Sequence, residues 1–109
     1  MRLDNISDRR VFVAPSGGVS ASELYLIGAV LVFAAEDADA GDSFVGVHRD
    51  HVIRDAPKAT GEAWAPGDQL YWDESEGELT TTASGNTAVA IAASTAASGD
   101  DSGDIELQA

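Results

Sequence analysis

Glycine punctuation is the strongest constraint on what this chain can fold into. Gly-Asp occurs at 41–42, 67–68, 99–100 and 103–104. The pairs at 41, 67 and 103 each immediately precede a short run rich in apolar and β-branched residues. Glycine reaches turn conformations that other residues resist, and aspartate folds turns through its side chain. Most of the runs between turns have strand length, five to seven residues.

The runs follow in order. "RVFVA" (10–14) alternates and stops at Pro15, before the turn-rich "PSGGVSAS" (15–22). "ELYLIGAVLVFAA" (23–35) carries aromatic and β-branched residues, with Gly28 as a bulge or a corner between two strands. "SFVGVHR" (43–49) and "HVIRD" (51–55) are strand-like, and "APKATGEAWAPGD" (56–68) is a loop with two prolines. "QLYWD" (69–73) and "ELTTT" (78–82) flank a turn. "NTAVAIAAS" (86–94) alternates, which favours a strand although alanine is the best helix former. "DIELQ" (104–108) is a last strand. Short strands with regular turns predict an all-β fold, a small barrel or sandwich-like single domain over 11–109. An irregular N-terminal arm, 1–10, precedes it.

Large core formers are few: two Trp, two Tyr and three Phe in 109 residues, with much of the 44% apolar content being alanine. A core this small is marginal for a lone monomer. Self-association or docking on a larger body buries more surface.

The net charge is −13, from 19 acidic residues against five arginines and the single lysine, Lys58. This argues against nucleic acid as the partner, since phosphate binding needs clustered Lys and Arg. Such a charge repels itself in dilute buffer, and at molar salt the Debye length falls to about 3 Å. Many carboxylates, one lysine and abundant alanine therefore fit a protein that works in concentrated salt. The arm has the opposite bias: Arg2, Arg9 and Arg10 stand against Asp4 and Asp8. The chain has no cysteine, so there is no disulfide or thiolate site. No apolar run reaches the 18 or so residues of a membrane span, and the N-terminus has no apolar signal-peptide core.

No motif names a reaction. His48 and His51 are three apart, but in strand or turn rather than on a helix, so they are expected as surface or interface histidines instead of metal ligands. "DESEGE" (73–78) lacks the residue order of a calcium loop and fits a hairpin turn with left-handed glycine. "PSGGVS" has no phosphate-loop context. The chain is expected to be no enzyme and to need no cofactor or metal.

In the 69–82 hairpin, a three-residue loop Ser75-Glu76-Gly77 pairs Asp73 with Leu79 and Trp72 with Thr80. Leu70 and Trp72 then share one face, and Tyr71 and Leu79 the other. Apolar bulk on both faces suits a hairpin with its own core on one side and a neighbour on the other.

"GDQLYWD" (67–73), "LTT" (79–81), Gly85-Asn86, the alternating strand Val89–Ala92 and "SGD" (98–100) resemble a family of small tailed-virus capsid decoration, or cement, proteins. Upstream, Gly17-Gly18, Gly41-Asp42 and Pro57-Lys58 fit the same pattern more loosely, and the similarity covers about residues 13–107. Ser22 stands where a turn glycine is common, and "VHRDHVIRD" (47–55) replaces a more apolar segment. The resemblance implies a β-rich protein on the outer capsid surface that stabilises contacts between major capsid protein subunits, often as a homotrimer. With the salt signature, it points to a tailed virus of a halophilic archaeon. Trp64, Tyr71 and Trp72 are then candidate packing or interface anchors, since aromatics dominate interface energetics. Arg2, Arg9 and Arg10 are candidate contacts to an acidic capsid surface. The alternative is a virion-surface module on a turret or spike that binds cations or glycans through His48, His51 and loop carboxylates.

Overall fold

The glycine turns divide the chain into short strands in a computed structural model that describes residues 9–49 and 51–108. Among the described residues there is no helix. β1 (Arg9–Val13), β2 (Leu24–Ile27), β3 (Val30–Ala34) and β4 (Ser43–Val47) form one antiparallel sheet in the order β1-β4-β3-β2. β5 (Val52–Pro57), β6 (Gln69–Asp73), β7 (Glu78–Thr80), β8 (Thr87–Ala92) and β9 (Ser102–Leu107) form a second, in the order β5-β9-β8-β6-β7. The expected all-β class is the observed one.

Strand alternation places the core. Leu31 and Val47 of the first sheet meet Leu70, Trp72, Leu79, Val89, Ile105 and Leu107 of the second. Neighbours Leu31 and Val32 are both fully buried, which requires cover on both faces of the first sheet. The outer face has its own small cluster, Ala14, Val19, Val32, Ala34 and Phe44, roofed by the loops that meet at the Val19–Ala38 bridge. Gly46 is needed there: a side chain at 46 would run into Val32 and stand 3.2 Å from the Phe12 ring.

Several boundaries differ from those the sequence predicts. Gly28 is part of a two-residue turn, at φ 62°, between paired Ile27 and Val30. The 103–104 pair is no turn: Gly103 and Asp104 lie inside β9, where Gly103 makes room for Trp64. β7 ends at Thr80 and not Thr82, because the Glu62 carboxylate draws the following backbone away, accepting from Thr80 Oγ1 at 2.6 Å and Thr81 N at 2.8 Å.

The β6–β7 register is one residue off the expected one. Trp72 pairs with Leu79, Tyr71 with Thr80 and Asp73 with Glu78. The cause is Asp73, whose Oδ1 accepts from Ser75 N, Ser75 Oγ and Glu76 N. This folds a four-residue turn over 74–77, closed by Gly77 N donating to Asp73 O at 2.7 Å. Because an odd shift moves side chains to the opposite face, Leu79 joins Leu70 and Trp72 in the core. Tyr71 shares its face with Asp73, Glu78 and Thr80, so this hairpin does not carry apolar bulk on both faces.

Candidate interaction surface

A sheet edge exposes unpaired backbone groups, and proteins guard such edges with bulges, charge, proline or short length. β5 is guarded by a bulge between Ile53 and Ala56, by Asp55 at φ 58° and by Pro57. Asp104 fixes that bulge, accepting from Arg54 Nη1 at 2.9 Å and Asp55 N at 3.2 Å. β7 is three residues long, and the bridge between Lys58 and Leu79 covers its outer side.

β1 carries charge at its start, through Arg9 and Arg10, but has neither a bulge nor a proline within its span. Its five residues pair regularly with β4, from Arg9 opposite Val47 to Val13 opposite Ser43. The outer side of β1 carries no other described strand. Val11 is 69% exposed and Val13 61%, the largest exposures among the large apolar residues described. Both lie on the face of the first sheet that carries the main core, since Val11 pairs with Val45, two residues from buried Val47. The inner face of the first sheet therefore overhangs the second, and the overhang is apolar. Exposed Arg10 lies on the same strand.

Elsewhere, a groove of about 480 Å³ opens between the sheets. Leu24 and Phe33 line it from the first sheet, and Ile53 and Trp72 from the second. Glu23, Asp55 and Glu74 bring carboxylates to its lining. Two non-glycine residues with left-handed backbone, Ser22 at φ 67° and Asp55 at φ 58°, also line it.

The residues proposed from the sequence fall in different places. Arg2 lies outside the described residues, and Arg9 and Arg10 belong to the first sheet through β1. Trp64 and Trp72 are buried within the single chain, at 2% and 5% exposure, and pack the main core. Tyr71 is half-buried on the other face of β6. His48 is buried within the single chain, which corrects the expectation of a surface or interface histidine. Its ring meets Phe12 edge-on, with centroids 6.0 Å apart. His51 is half-buried. Among the described residues no group of three or more His, Asp or Glu is arranged to hold a metal ion.

Sequence reasoning missed Val11, Val13, Lys58 and Glu62. The signal for the valines was present in "RVFV", which puts apolar residues on both faces of one strand. Lys58, the sole lysine, is buried, with Nζ donating to Ala59 O and Asp100 O and lying 5.6 Å from the Trp64 ring centroid. Beside it, an acidic hollow is lined by Glu62, Asp73, Glu74 and Glu78. Burial works against ionised Glu62, but hydrogen bonds from Thr80, Thr81 and Thr82 outweigh it and hold the carboxyl below its ordinary value. Burial, then the charges of Glu76, Asp73 and Glu62, push Glu78 up, with Lys58 opposing.

No curated protein and no solved structure matches the chain. A family model described as phage cement protein matches residues 7–107. With an all-β body and an edge strand that exposes two valines, the chain is a virion structural protein associated with the capsid and belongs to the phage cement protein family.

Proposed function

We propose that this chain decorates the outer surface of the capsid and stabilises contacts between major capsid protein subunits, acting as a homotrimer. Family membership supports the capsid role, and the apolar β1 edge with exposed Val11 and Val13 is the observation that carries the reading. An edge with exposed Val11 and Val13 in a strongly acidic molecule is suited to assembly. The mechanism is mechanical: apolar area buried at subunit junctions raises the load the shell withstands. Arg2, Arg9 and Arg10 face acidic capsid surface, and Tyr71 contacts a neighbour, while Trp64 and Trp72 hold the scaffold behind these surfaces.

Charge supports the outward placement. A chain of net charge −13 inside the head would be repelled by packaged phosphates, which argues against nucleic acid as its partner. The same charge suits a tailed virus of a halophilic archaeon, where salt screens the self-repulsion. Co-sedimentation with shells of major capsid protein that lack this chain tests the reading. Saturable binding to intact shells, with the chain removable by external protease, is expected. Shells that sediment without it would refute the assignment.

A further inference from the structure

We propose that the copies associate head to tail, with β1 of one copy docked over the groove between β2 and β5 of the next. The argument starts from two mismatched surfaces on one molecule. β1 presents exposed Val11 and Val13 and opens with two adjacent arginines. The groove presents the half-buried side chains of Leu24, Phe33 and Ile53 beneath the carboxylates of Glu23, Asp55 and Glu74. Among the described residues that line the groove, Arg54 is the one basic side chain, and it is bonded to Asp104. Apolar strand thus meets apolar floor, and a basic strand end meets an acidic rim.

The two surfaces lie on opposite edges of the first sheet, whose order is β1-β4-β3-β2. One copy cannot bring its own β1 to its own groove, and a two-fold pair of β1 strands would leave both grooves open. A contact between unlike surfaces instead repeats from copy to copy, and a rotation of one third of a turn closes it as a ring of three. The inference rests on the self-association part of the proposed function and names the surfaces that carry it.

The chain has no cysteine, so introduced thiols report one contact each. Val11→Cys and Glu23→Cys both fall on exposed positions and are made singly and together, then treated with a short thiol-specific crosslinker, free and on capsid shells. The double variant is expected to link into species ending at three copies, while each single variant stays unlinked. Self-linking of Val11→Cys, or a double variant that stays unlinked both free and on shells, would overturn the proposal. Linking without shell binding would leave this contact standing and remove the capsid role. Shell binding without linking would do the reverse.

Discussion

The six-membered ring of Trp64 rests directly on Gly103: a Cβ added at 103 would stand 2.6 Å from Cζ3 and 2.9 Å from Cε3. Trp64 N also donates to Ala96 O at 3.0 Å, which ties the loop after β5 to the one before β9. Ring and backbone leave no room for one more carbon. Gly103→Ala should therefore destabilise the fold by about 1–3 kcal/mol, the usual cost of overpacking. Urea titration should show a lower midpoint with an unchanged slope.

Lys58 lies over the same ring, with Nζ 5.6 Å from its centroid. Its ammonium bonds two backbone carbonyls, Ala59 O at 2.9 Å and Asp100 O at 3.1 Å, and so crosslinks the same loops. Lys58→Met keeps most of the stem and loses the charge-assisted bonds, for an expected loss of about 1.5–3 kcal/mol by thermal or urea unfolding. In the native protein the buried amine should also resist acylation, with modification of Lys58 by an amine-reactive ester rising sharply only on unfolding, as read by peptide mass spectrometry.

Glu62 and Glu78 give opposite pH dependences. The folded Glu62 carboxyl lies below its ordinary value of 4.5. Its contribution is present above that value and is lost as pH falls through the lower folded value. Glu62→Gln should thus weaken the protein at pH 7 and have progressively less effect in acid. Glu78 is raised above 4.5; its favourable contribution exists only in acid and disappears as pH rises through the raised value. Glu78→Gln should accordingly raise the melting temperature at pH 7, less so at molar salt, where its repulsion by Glu76 and Asp73 is screened. Melting curves across pH and salt for both variants check the two signs.

Ser22 occupies left-handed backbone at φ 67°, a conformation that costs a residue with a Cβ roughly 1–2 kcal/mol. Ser22→Gly should remove that strain, offset in part by the entropy of glycine in the unfolded chain. A net gain of about 0.5–1 kcal/mol is expected, read as a higher melting temperature.

Turn chemistry made much of this fold legible. Gly41 and Gly67 take the left-handed backbone expected of turns before β4 and β6, at φ 86° and 90°, and Gly28 separates two strands. What stayed hidden depends on contacts distant in sequence. Nothing local dictates that β1 pairs with β4 or β5 with β9, and Gly103 looks like a turn glycine until Trp64 is placed on it. The β6–β7 register was missed for a local reason, since the Asp73 side chain competes for the backbone N–H groups of Ser75 and Glu76 and lengthens the turn by one residue. Of the surface, the alternation of "RVFV" foretells an apolar patch. Whether the patch faces a core or solvent depends on the span of the second sheet.

Survival of the virus head without this protein tests the central claim most directly. Heads from a virus with the gene deleted, and the same heads supplied with purified protein, are heated or diluted into low salt while DNA release is followed by dye fluorescence. Deleted heads should release DNA at lower temperature and higher salt than complete ones, and added protein should restore both thresholds. Identical release curves for the three preparations would contradict a stabilising role on the capsid.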